Sequence, residues 1–162
     1  THNSEFVVSR TFDAPRELVW KAWTDADHLA KWWGPAIFEN EVVSFDLRPG
    51  GIFHYKMTTP QGAMYGRFVY REISEPEKLV YVTSFADENG ELARAPFSDL
   101  FPLEQLNTLT FEEQDGKTIL TLHSVPINAT DEEIAFFVGM HDSMHGGWSG
   151  TLDQLEAHLS QQ

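Results

Sequence analysis

Hydrophobic and polar positions along this chain change their period twice, and the changes predict three stretches of different structure. Residues 5 to 12 read as a first strand. Asp13-Ala14-Pro15 then reads as a helix start, because the missing N–H of a proline would be unpaired in a first helical turn anyway. Leu18, Val19, Ala22 and Trp23 give that helix one apolar face. A second short helix is expected from Asp25 through Trp33, ended by Gly34-Pro35, a residue free to take positive φ followed by a breaker.

From Glu39 to Val125 the period becomes two. Phe53, Tyr55 and Met57 alternate with His54, Lys56 and Thr58; Met64, Gly66, Phe68 and Tyr70 alternate with Tyr65, Arg67, Val69 and Arg71; Leu120 and Leu122 alternate with Thr121 and His123. These are half-buried antiparallel strands, and the two β-sets that begin at Phe53 and Met64 are expected to share one concave face. Turn chemistry separates the runs at Arg48-Pro49-Gly50-Gly51, Thr59-Pro60-Gln61-Gly62, Ser74-Glu75-Pro76-Glu77 and Gln114-Asp115-Gly116-Lys117, so a meander is the economical topology. One connection is long. Ala86 to Glu104 carries Pro96, Phe97, Leu100, Phe101, Pro102 and Leu103, and a greasy loop of that length is expected to dock over something.

The last thirty residues take a helical period. Thr130-Asp131-Glu132-Glu133 spells a capping box, and Ile134, Val138, His141, His145, Trp148, Leu152, Leu155 and Leu159 recur at three- and four-residue steps. One helix from Asp131 to Leu159 would run ~44 Å, longer than the ~25 to 30 Å of a strand, so it is expected to cross the sheet obliquely or overhang it. Its stripe is greasy at both ends and interrupted in the middle by His141, His145, Gly146 and Gly147. That interruption predicts a helix closing over a partly polar cavity. Each mid-helix glycine costs about 1 kcal/mol against alanine, a penalty that predicts close backbone approach or a bend at Gly146-Gly147.

Composition then removes whole classes of function. With 162 residues and 41% hydrophobic content the chain suits one soluble domain, residues 1–162, and shows no linker or repeat. No run approaches the ~20 apolar residues of a membrane span, so no membrane partner is expected. Thr1-His2-Asn3-Ser4 lacks the regions of a secretion signal, and there are no cysteines, both compatible with a cytoplasmic protein. A formal net charge of -14 repels nucleic acid and anionic lipid. No phosphate-cradling glycine loop appears, and no cofactor is expected.

Taken in order, several short motifs resemble a known family. They are Phe12-Asp13-Ala14-Pro15 with Val19-Trp20, Trp32-Trp33-Gly34-Pro35, and Asp46-Leu47-Arg48-Pro49-Gly50-Gly51 with Phe53 and Tyr55. Gly66 with Glu72-Ile73, Leu79-Val80-Tyr81 before Phe85, Gly116-Lys117-Thr118, and Gly147-Trp148 with Leu152, Leu155 and Leu159 continue the series. Together they resemble the START-like SRPBCC superfamily, and more narrowly the bacterial proteins named after the activator of the heat-shock-protein-ninety ATPase. The resemblance implies an α+β helix-grip fold, a curved antiparallel sheet wrapped around a long C-terminal helix, with two short helices after the first strand. It also implies binding of hydrophobic or amphipathic small molecules, with cyclisation or dehydration catalysed by a minority of the superfamily. The co-chaperone role belongs to eukaryotic relatives with an additional N-terminal domain, which this chain is expected to lack; a chaperone partner is doubtful.

Candidate chemistry is sparse. His141-Asp142-Ser143-Met144-His145 places two imidazoles one turn apart, a spacing that can share a metal, but no third ligand follows on a matching face and no metal is expected. Neutral imidazoles there can instead anchor a ligand carbonyl or hydroxyl. Ser143, His141 and Asp142 point in different helical directions, which excludes a nucleophilic triad. Of the five tryptophans, Trp20 and Trp23 read as packing against the sheet, and Trp33 and Trp148, next to glycines, as cavity lining. The expected ligand-binding set is Trp33, Phe53, Tyr55, Met57, Met64, Phe68, Tyr70, Phe137, His141, Met144, His145 and Trp148. Three functions compete: binding of a small hydrophobic or aromatic molecule, acid/base chemistry by His141 or His145 with Tyr55 or Tyr70, and a chaperone-interaction module. A homodimer is compatible with each.

Overall fold

The period-two stretch becomes one antiparallel sheet in the computed structural model, which describes residues 5–33, 39–60, 62–95 and 98–161, the side chains of Glu39 and Thr59 excepted. The strands are β1 (Phe6–Phe12), β2 (Glu39–Phe45), β3 (Ile52–Thr59), β4 (Gly62–Ser74), β5 (Lys78–Ala86), β6 (Glu104–Gln114) and β7 (Lys117–Ile127). Their order across the sheet is β1-β7-β6-β5-β4-β3-β2. Strands two to seven are therefore the expected meander, and β1 returns to pair with β7 at the far edge. Asp115 and Gly116 both take positive φ, 53° and 79°, between the paired Gln114 and Lys117. That is the two-residue turn whose twist matches the flanking strands. The Gly34-Pro35 stop, Gln61, and Pro96 and Phe97 of the long connection lie outside the described residues.

Two short helices carry the chain from β1 toward the opposite edge. α1 (Arg16–Thr24) buries Val19, Trp20, Ala22 and Trp23 against the sheet, with Trp20 edge-on to Phe111 at 5.1 Å. Pro15 sits just before the first turn as its cap residue. α2 (Ala26–Trp32) is capped by the Asp25 carboxylate, which accepts from the N–H groups of Asp27 and His28. At its other end Trp33 turns to extended backbone while its N–H still bonds the Leu29 carbonyl. The Trp32 indole donates to Ala22 O at 2.8 Å and locks the two helices together.

The C-terminal helix is not one rod. α3 (Asp131–Gly139) opens with the predicted capping box, both reciprocal bonds between Thr130 and Glu133 being made. It closes at Met140, whose N–H reaches Phe136 O and Phe137 O at 3.1 and 3.0 Å, a tightened last turn. α4 (His141–Leu159) then runs on across the concave side of the sheet. The interruption is at Met140 and not at the glycine pair. A Cβ built on Gly146 or on Gly147 meets nothing within 4 Å, which overturns the expected close approach there.

The concave face is uneven along its length. Cross-strand partners share a face, and the pairs Phe111–Leu120, Leu109–Leu122 and Leu79–Leu109 make one end entirely apolar. Leu152 and Leu155 of α4, with Trp20 and Trp23 of α1, are buried against that end. Toward the other end the same phase carries Thr83, Gln105, Asn107 and Ser124, paired in the order Thr83–Gln105 and Asn107–Ser124.

Candidate functional site

Over this polar end the helix and the sheet stand apart and leave a cavity of about 280 Å³. Trp33, Tyr55, Met57, Phe68, Phe85, Phe101, Met144 and Trp148 supply its apolar wall. Thr83, Gln105, Asn107, Ser124 and Thr151 supply polar groups, and Gly147 exposes helix backbone to it. No lining residue among those described is charged.

Aromatic contacts build the wall. The Trp33 ring, delivered by the extended backbone at the end of α2, lies 5.2 Å from Phe68 and 5.7 Å from both Tyr55 and Trp148, each pair edge-to-face. Phe68 stacks flat on Tyr81 at 4.1 Å. Trp148 stacks on Trp23 at 6.3 Å and so stands at the boundary between the cavity and the packed end. Gly66 pairs directly with Tyr55, and a Cβ at Gly66 would collide with the Tyr55 ring and hydroxyl. The absence of a side chain at 66 is what lets that ring lie across β4.

Polar groups in and under the wall are incompletely bonded. The Gln105 amide donates to Pro102 O at 2.7 Å and the Thr151 hydroxyl to Gly147 O at 3.1 Å. By contrast Trp33 Nε1, Asn107 Oδ1 and the Tyr81 hydroxyl are buried without a hydrogen-bond partner. Burial raises the Tyr81 phenol well above its usual range, and the Asn107 side chain beside it tempers the rise. Tyr55, whose exposure is to the cavity, is pushed up to about 12 by desolvation, partly offset by its neighbours Trp33 and Thr83. Tyr70 is raised too, by burial and then by Tyr81. All three phenols are thus held above their ordinary value by burial.

The long connection covers the cavity at Phe101, as its greasy sequence predicts. Side-chain bonds tie its segments down. His54 Nε2 donates to Asp87 O at 3.0 Å, Arg67 donates to Gly90 O at 2.9 Å, and Arg94 meets the Glu133 carboxylate of α3 at 2.5 Å. Arg94 also donates to Asp99 O and Phe101 O, at 3.0 and 3.4 Å, so one guanidinium fixes both the loop and the helix below it. The bond from Arg94, and then the one from the Thr130 N–H, hold the Glu133 carboxyl below its ordinary range.

Six of the twelve expected site residues line the cavity: Trp33, Tyr55, Met57, Phe68, Met144 and Trp148. Phe53, Tyr70 and Phe137 are buried in the surrounding core, and Met64 pairs with Met57 at the sheet margin. The two histidines are misplaced by the sequence reading. His145 packs at 4.6 Å, and His141 at 5.5 Å, on the ring of Phe6 in the edge strand β1, outside the lining. The inward stripe runs through Phe137, Met144, Trp148, Thr151 and Leu155, one position off from the predicted Val138 and His145, and Val138 is exposed. Acid/base chemistry by these histidines across the cavity from Tyr55 or Tyr70 loses its geometry with them. Among the described residues no group of three or more His, Asp or Glu side chains is arranged to hold a metal ion.

The polar belt of Thr83, Gln105, Asn107 and Ser124 was missed in the sequence. Its signal is a polar residue in the buried phase of a strand, as at Asn107 two steps before Leu109 and four before Phe111.

Residues 13–160 match the family model described as activator of Hsp90 ATPase homolog 1-like protein. The chain belongs to that family. A crystal structure of a Mycobacterium smegmatis protein is similar at 30% identity and a TM-score of 0.78, over 98% of this chain and 91% of that one. A solution structure from Arthrobacter aurescens is similar at 28% identity and a TM-score of 0.81, over 99% and 88%. One from Staphylococcus epidermidis is similar at 30% identity and a TM-score of 0.75, over 98% and 90%. No curated protein matches this sequence. The fold of this family member is the helix-grip fold, with the sheet, the two early helices and the C-terminal helix where the motifs implied them.

Proposed function

We propose that this chain binds a small, largely apolar molecule between the concave sheet and α4. The observation that carries the reading is the contrast between the two ends of one interface. Where Leu109, Leu120 and Leu122 face α4, the space is filled by Trp23 and Leu152; where Thr83, Asn107 and Ser124 face it, about 280 Å³ is left. An aromatic wall left facing a cavity of this size sheds water and gains contact when an apolar guest covers it. Its volume is at the lower end of small-molecule sites, which fits a compact ring system better than a long acyl chain. The aromatic wall supplies dispersion and ring contacts to such a guest. Among the described residues the lining holds no histidine, carboxylate or lysine to exchange protons near neutrality, which supports binding over acid/base turnover.

Native mass spectrometry of the protein purified from its own host tests this. A stoichiometric adduct that is lost in a Thr151→Phe variant, whose added ring fills the cavity, is the expected result. A mass equal to that of the bare chain, with no uptake of added aromatic compounds, contradicts it.

A further inference from the structure

Resting on that reading, we infer that the guest carries an uncharged hydrogen-bond acceptor on its apolar body, and that the adjoining hydroxyls of Tyr55 and Thr83 are the donor that selects it. The sheet brings the two together. Tyr55 stands on β3 and Thr83 on β5, with β4 between them; the β4 partner of Tyr55 is Gly66, one inward step from Phe68, the β4 partner of Thr83. With no side chain at Gly66 to hold it off, the Tyr55 ring lies across β4 with its hydroxyl over the glycine. It arrives beside Thr83, whose side chain hydrogen-bonds it. Both residues line the cavity and both are only half-buried, so the pair keeps surface there for a guest to meet.

Counting protons gives the pair its polarity. Two hydroxyls hold two protons, and a bond between them uses one, whichever of the two donates. The Trp33 indole beside Tyr55 adds a third donor and no acceptor. One O–H is therefore left over, at Tyr55 or at Thr83. Among the described residues neither hydroxyl donates to a further protein acceptor, and Gln105, across the strand from Thr83, bonds Pro102 O through its amide instead. A donor left unpaired in an apolar site costs free energy that an acceptor on the guest restores.

Charge narrows the kind of acceptor. A carboxylate accepts strongly, yet the lining among the described residues offers no cation to balance it, and the formal net charge of -14 opposes its approach. A neutral carbonyl or ether oxygen takes the same bond without burying an unpaired ion.

The test uses 2-acetylnaphthalene and 2-isopropenylnaphthalene near neutral pH, two molecules of matched shape in which a carbonyl oxygen and a CH₂ group exchange places. 2-Naphthoate is the charged comparison, and binding is read by quenching of the tryptophan fluorescence to which Trp33 and Trp148 contribute. The ratio of ketone to hydrocarbon affinity is expected to fall about tenfold in Tyr55→Phe/Thr83→Val. Either single variant should lower it by only about two- to threefold, because the hydroxyl that remains has its own proton free. Naphthoate should bind the parent more weakly than either neutral probe. An unchanged ratio in the double variant, or naphthoate binding best, overturns this inference and leaves the cavity reading standing. Should the double variant bind neither neutral probe, the single variants decide, and an unchanged ratio in both overturns the inference equally. If the parent binds none of the three, the cavity reading itself fails and takes this one with it.

Discussion

Gly66 sits directly across the β3–β4 ladder from Tyr55, and the Tyr55 ring occupies the space that any side chain at 66 would need. This pairing couples the sheet to the cavity, because the same ring forms part of the wall beside Trp33. Gly66→Ala should cost about 1–3 kcal/mol by overpacking, although alanine is otherwise the better strand residue. Tyr55 is expected to swing toward the cavity and lower the affinity for an aromatic probe. Urea unfolding of Gly66→Ala alone and in a Tyr55→Ala background checks this: the penalty should vanish when the ring is gone. An equal penalty in both backgrounds would point to the backbone instead.

Gly147 behaves in the opposite way. It faces the cavity and a Cβ there meets nothing, so Gly147→Ala should stabilise α4 by up to about 1 kcal/mol. Gly147→Leu should fold at least as well as the parent and exclude the probe. Thermal melts and probe titration on the two variants read the two effects separately. A large loss of stability in Gly147→Ala would restore the close-approach reading that the structure overturns.

Acid should loosen the contact between α2 and the end of α4. His28 Nδ1 and His158 Nε2 are 2.8 Å apart, and His158 is buried. Desolvation, then the charges of His28 and Lys31, hold the His158 imidazole below its ordinary value. A folded-state pKa below the unfolded value of about 6.5 means that the unfolded chain binds the extra proton first. The stabilisation is therefore complete above that value and is lost as pH falls through the lower folded-state value. Denaturation midpoints across this window should fall with pH in the parent and more gently in His158→Asn. Identical slopes would remove His158 from the account.

Arg94 is expected to set how fast the cavity exchanges its contents. It bridges Glu133 on α3 to the carbonyls of Asp99 and Phe101 in the covering loop. The Arg94 side chain is 42% exposed, so solvent screens the pair and the effect is modest. Arg94→Ala should speed dissociation of a bound aromatic probe by up to about fivefold with little change in association. Stopped-flow displacement measures this, and unchanged dissociation would mean that Phe101 is held by packing alone.

Much of this architecture is legible in the chain itself, because its signals are local. The alternation from Phe53 to Tyr70, the Asp115-Gly116 turn and the Thr130–Glu133 capping box each act within a few residues, and each is found where expected. The site is less legible because it depends on phase and pairing. A helical stripe wider than 100° admits His141 and His145 at its margin, and only the direction of β1 reveals that this margin meets Phe6. The polar belt is hidden for a related reason. Asn107 reads as an ordinary polar strand residue until Tyr81 and Ser124 are known to flank it on the inner face.

The central claim is that the hollow end of the α4–sheet interface takes a guest and the packed end does not. Backbone and side-chain NMR of the protein titrated with 2-naphthol addresses it most directly. The account predicts saturable shifts at Trp33, Tyr55, Phe68, Asn107, Met144 and Trp148, with Leu109, Leu120 and Leu155 unmoved. Shifts confined to the outer face of the sheet, or none at concentrations that saturate other small-molecule sites, would contradict it.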